Sequence, residues 1–92
     1  MKLLIKYCPI WEGYDTKALE VSKEITNNFT DVEVELVEGD RGEFSVIYQE
    51  DPPALIYSMN EKDRLPTNYE ITSLLVRIYG MDTLKTQNDK GL

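Results

Sequence analysis

Leu3 to Tyr14 reads Leu-Leu-Ile-Lys-Tyr-Cys-Pro-Ile-Trp-Glu-Gly-Tyr, and it sets the layout of the whole chain. A short apolar strand, Leu3 to Tyr7, runs into Cys8, the only cysteine. Pro9 lacks an N–H and discourages the strand from continuing. A loop containing Gly13 follows, and then a helix. In a parallel α/β layout, reactive groups gather where the C-terminal end of a strand feeds a helix. The partial positive charge of a helix N-terminus also favours a thiolate over a thiol. Cys8 is therefore the candidate catalytic residue, and Tyr7, Pro9, Ile10, Trp11 and Gly13 are the loop residues that flank it.

Working outward, Tyr14, Ala18, Val21, Ile25 and Phe29 recur at helical spacing and predict a helix lying on a sheet. Asp15 or Thr16 is the expected cap of its first turn. Val32 to Glu38 alternates apolar and acidic residues, which predicts a strand with one wet face. Because a helix leads to it, this strand should run parallel to the first through a right-handed crossover. Glu43 to Gln49 reads as a third strand. Glu50-Asp51-Pro52-Pro53 is a turn, and Ala54 to Met59 is a fourth strand antiparallel to the third. The continuous apolar run of the first strand suits burial on both faces. Asn60 to Leu65 is polar and loop-like. Thr67-Asn68-Tyr69-Glu70 has the form of a capping box, followed by the stripe Ile71, Leu74, Leu75, Ile78 and a stop at Gly80. The order is strand, helix, three strands, helix. It predicts a mixed four-stranded α/β sheet with the first strand central, the fourth at an edge, and two helices covering its apolar faces. Residues 1–81 form the expected domain, and 82–92 are polar and aperiodic, the pattern of a flexible tail.

Composition narrows the function. The 92 residues suffice for one small domain. A formal charge of −7 argues against nucleic acid and against an anionic membrane surface, both of which call for a basic face. With one cysteine and no histidine, an intramolecular disulfide, a His/Cys metal site and serine–histidine catalysis all lack their parts. Glu33, Glu35, Glu38, Asp40 and Glu43 lack the dense spacing of a calcium loop and read as a solvated face. No metal or cofactor is expected. The apolar run Leu3 to Ile5 is too short for a signal peptide or a membrane span, so a cytoplasmic protein is expected.

With Cys8 placed after the first strand, the element order resembles the thioredoxin-like proteins of the selenoprotein W (Rdx-type) family. Ile5-Lys6-Tyr7-Cys8-Pro9 resembles that family's strand-plus-Tyr-Cys opening. Gly13-Tyr14 resembles its entry to the first helix. Glu38 to Val46 resembles its Gly-x-Phe-Glu-Val strand, with Ser45 in place of Glu, and Leu65-Pro66 resembles its closing Phe-Pro element. The family's redox motif is Cys-x-x-Cys or Cys-x-x-selenocysteine, and here it stands as Cys8-Pro9-Ile10-Trp11. The resemblance implies a thioredoxin-like β-α-β-β-β-α fold and a role in cell redox homeostasis. The missing second thiol implies loss of dithiol turnover, because a mixed disulfide cannot then be resolved internally. Either Trp11 or Glu12 stands at the lost position.

Three roles are open to Cys8 on the sequence. It can pack as a small hydrophobe at a strand end. It can act as a single reactive thiol that forms mixed disulfides with glutathione or with a partner protein. It can also join two chains, although a reducing cytoplasm disfavours this. Glu12 and Asp15 oppose a thiolate, and the loop itself holds no cation. The expected function is a monothiol redox or thiol-binding protein. The alternative is a non-catalytic interaction module that holds a partner on the same loop or on a sheet edge.

Overall fold

In the computed structural model, which describes residues 1–81 and 83, Leu3 and Ile5 are fully buried in β1 (Lys2–Tyr7), the strand at the centre of the sheet. A loop leads to α1 (Tyr14–Asn28), which returns the chain to β2 (Glu33–Glu38). β3 (Phe44–Tyr48) and β4 (Ala54–Ser58) follow, then a short α2 (Met59–Lys62) and finally α3 (Glu70–Tyr79). The sheet order is β2-β1-β3-β4. β2 pairs parallel to β1, with Leu3 opposite Val34 and Ile5 opposite Leu36. β3 is antiparallel to both β1 and β4, and a bulge interrupts the β3–β4 ladder beside Val46 and Ile47. This is the expected thioredoxin-like order, with one helix added. The polar tail expected over 82–92 lies outside the described residues, Thr83 apart.

The pairing register puts Leu3, Ile5, Phe44, Val46 and Tyr57 on one face, and all five are buried with Ala18, Val21 and Ile25 of α1 and Ile71 and Leu75 of α3. Both long helices therefore cover the same face, not one face each. The other face carries Lys2, Leu4, Lys6, Ile47 and Leu55, none of them fully buried. The expectation that the first strand is buried on both sides is thus corrected. The helices are held together by Glu24 of α1, whose carboxylate accepts from the backbone N–H of Tyr69 (2.8 Å) and of Thr72 (3.3 Å) and from the Thr72 hydroxyl (2.5 Å). The Tyr69 and Thr72 N–H groups lie at the N-cap and in the first turn of α3, so the cap of α3 comes from another helix.

Other local expectations change for physical reasons. α1 is entered through its N-cap Gly13, whose left-handed φ of 89° opens the helix without a side-chain cap, and Asp15 instead accepts from the N–H of Thr16. Only half of the capping box forms. Glu70 accepts from the Thr67 N–H at 2.9 Å, but the chain makes a further turn and the helix starts at Glu70. Ile78 is 59% exposed, and Tyr79 takes its place at the sheet, meeting Tyr48 edge to face. Asn60 to Lys62 belongs to α2, capped by the Ser58 hydroxyl, where the sequence suggested a loop. Gly80 ends α3 in the left-handed region, as expected.

Candidate thiol site

Cys8 lies one residue beyond β1, and its backbone N–H donates to the Glu43 carbonyl at 2.8 Å, which ties it to the start of β3. Two loops meet at its side chain. One is its own, Pro9 to Gly13. The other is the β2–β3 loop, Gly39 to Glu43, which pairing to both flanks of β1 brings to the same end of the sheet. The Gly39 N–H donates to the Tyr7 carbonyl (2.8 Å), and the Glu43 carboxylate accepts from the Asp40 N–H (2.9 Å). The second loop is thereby fixed against the first.

The sulfur is fully buried. Burial opposes ionisation, but the backbone amides of Gly42, Ile10 and Trp11 favour the charged form, and the Arg41 guanidinium adds a positive charge. Together these outweigh burial and hold the thiol below the ordinary cysteine range. Backbone amides that favour the charged form are suited to stabilise a thiolate, much as a nest of amides favours an anion.

Gly42 has a second role. Its φ is +75°, and a Cβ on it would stand 3.0 Å from Trp11 Cη2 and 3.1 Å from Cζ3. The indole therefore lies directly on the backbone whose amide favours the thiolate. Trp11 also meets Tyr14 edge to face at 5.6 Å, and the ring contacts continue through Phe44 to Tyr57. The Tyr57 hydroxyl donates to the Arg64 carbonyl. A file of four rings thus runs from the thiol loop through the core to the segment before α3.

The flanking residues expected from the sequence divide. Tyr7 is half-buried at the end of β1. Pro9, Ile10 and Gly13 are exposed, and Trp11 keeps 45% of its surface. Ile10 and Trp11 act on the thiol through their backbone amides, which favour the thiolate. Arg41 and Gly42 were missed in the sequence reading because they lie more than thirty residues from Cys8. The signal that could have found them is the strand order itself, which sets the β2–β3 loop beside the end of β1. Among the described residues, no helix is long and apolar enough to cross a membrane. A family model described as the Rdx family matches residues 2–77. Comparison with curated proteins and with solved structures gives no match.

Proposed function

The chain belongs to the Rdx family, the selenoprotein W-type group of thioredoxin-like proteins, and from that premise we propose that it is a cytoplasmic monothiol redox or thiol-binding protein acting through Cys8. What supports this reading is the setting of Cys8, a buried thiol just beyond the central strand where the backbone amides of Gly42, Ile10 and Trp11 and the Arg41 guanidinium favour the thiolate. A thiol that merely fills space needs no such setting. In the proposed step, the Cys8 thiolate attacks a disulfide R–S–S–R′. A Cys8–S–S–R bond forms, and R′ leaves as the thiolate. With no second cysteine in the chain, release requires attack by an external thiol, so glutathione or a partner-protein thiol completes the cycle. Because Cys8 is buried, the loops around it must open before a partner sulfur can approach in line.

The test is the pH dependence of Cys8 alkylation in the folded protein, followed by mass spectrometry. The expected midpoint lies below the ordinary thiol range, and oxidised glutathione should add one glutathionyl group that dithiothreitol removes. Insulin disulfides should not be reduced catalytically, since no dithiol cycle is possible. Alkylation that occurs only in denaturant would end the thiol reading. A second reading, an interaction module built on the same loop, is favoured by the contrast between the buried sulfur and the exposed Ile10, at 67%, and Trp11.

A further inference from the structure

β2 forms one edge of the sheet, and among the described residues nothing pairs with its outer side. The two edges differ. β4 is preceded by Pro52 and Pro53 and is bulged, features that discourage a further strand. β2 has no proline, no glycine, no bulge and no lysine. The Glu33 N–H bonds to the Met1 carbonyl and the Gly39 N–H to the Tyr7 carbonyl, which fixes the phase of the ladder. The N–H and C=O groups of Val34 and Leu36 therefore point outward, free to receive another strand.

The side chains flanking this edge are of two kinds. On the helix-covered face stand Val34, half-buried, and Leu36, 37% exposed. α1 packs above β2, and its flank towards α3 is marked by the contacts of Lys17 with Asn68 and of Glu24 with Thr72. Leu19 lies two residues from Lys17, about 200° around the helix, and so on the opposite flank. It is 48% exposed. Leu19 and Leu36 thus leave an apolar shelf at the β2 edge. On the open face stand Glu33 and Glu35, both exposed. Glu35 meets Lys2 at 3.4 Å, and among the described residues Glu33 has no ion pair.

We infer that the β2 edge is a docking site for an extended segment of a partner protein in which basic and apolar residues alternate. The segment adds a fifth strand through the backbone of Val34 and Leu36. Its apolar side chains lie on the shelf of Leu36 and Leu19, and its lysines or arginines stand opposite Glu33 and Glu35. A second copy of the chain fits poorly, because two-fold pairing of β2 with itself brings the glutamates together. The surface is separate from Cys8 and stands whether or not the thiol reacts.

The test uses the full chain labelled with 15N and three eight-residue peptides. One alternates lysine and valine, one has the same composition in two blocks, and one alternates glutamate and valine. The alternating lysine peptide should bind at least tenfold more tightly than either control and shift the amides of Val34, Leu36 and Leu19. Glu33→Lys and Leu36→Lys, at exposed positions, should each weaken it about tenfold, while Cys8→Ser should leave it unchanged. Equal binding of the block peptide would reduce the effect to net charge and overturn the proposal. So would shifts centred on Ile10 and Trp11, or dimerisation through β2 in the absence of peptide.

Discussion

A methyl group at position 42 would meet the Trp11 ring and would also have to sit in the left-handed region, at φ +75°. The backbone conformation alone costs an L-residue about 1–2 kcal/mol. Gly42→Ala should therefore lower the unfolding midpoint, shift the emission of the single tryptophan to longer wavelength and speed alkylation of Cys8, because the ring and the amide share one support. Unchanged emission and an unchanged alkylation rate would show that the stack does not guard the thiol. Arg41→Ala should move the alkylation midpoint to higher pH, since removing the cation disfavours the thiolate. At this scale the sequence revealed the nucleophile and not its setting. Cys8 stands out as the lone thiol after a strand, whereas Arg41 and Gly42 acquire meaning only once β2 and β3 flank β1. The concern that Glu12 and Asp15 would oppose the thiolate considered only the charges next to it in sequence.

At the scale of elements, α3 depends on partners outside itself. Glu24→Ala should cost about 0.5–2 kcal/mol, the range for loss of a helix cap, measured by denaturant unfolding. At the same end, Glu70 accepts both Arg64 Nη1 (2.7 Å) and Arg64 Nη2 (2.9 Å), together with the Thr67 N–H. The Arg64 hydrogen bonds, opposed by partial burial, hold the Glu70 carboxyl at about 2. A depressed pKa makes the folded state bind the proton less readily than the unfolded chain does. The stabilisation is then complete above the ordinary glutamate range and is lost as pH falls from about 4.5 towards 2. Glu70→Gln should be less stable at pH 7 and should lose less stability than the parent over that acid interval. Equal acid slopes would contradict the assignment. Strand order and helix stripes were legible here because periodicity is a local property. The true start of α3 was not, because the motif Thr67 to Glu70 fits two registers and Glu24, far away in sequence, selects the later one. Ile78 fits the stripe of the last helix, but only the packed sheet decides that Tyr79 fills the place.

Across the whole molecule, the core is a single layer between one sheet face and two helices. Leu75 sits at its centre, fully buried, so Leu75→Ala should cost about 2–5 kcal/mol in equilibrium unfolding. Leu55→Ala, on the open face, should cost far less. One-sidedness was hidden in the sequence. Leu3, Leu4 and Ile5 read as a run buried on both sides, and nothing in that run says that both helices will choose the same face. On that shared face the two helices bury Ala18, Val21, Ile25, Ile71 and Leu75 in one core, and the Glu24 link joins α3 to α1.

The central position of β1 also bears on how the chain reaches this state. Its neighbours are remote in sequence: Leu3 pairs with Val34 on one side and with Tyr48 on the other, while β3 and β4 are joined by a short turn. Closing a long loop costs entropy before its contacts give anything back. The β3–β4 hairpin, whose pairing is local, can form first, and β1 then joins it to complete the sheet. Substitutions such as Tyr57→Phe, in the hairpin, should then slow refolding. Ile5→Val, in the strand that closes the sheet, should mainly hasten unfolding. In stopped-flow experiments the two would divide between the two arms of the chevron, and the strand that carries the thiol loop would be the last to be secured and the first to let go.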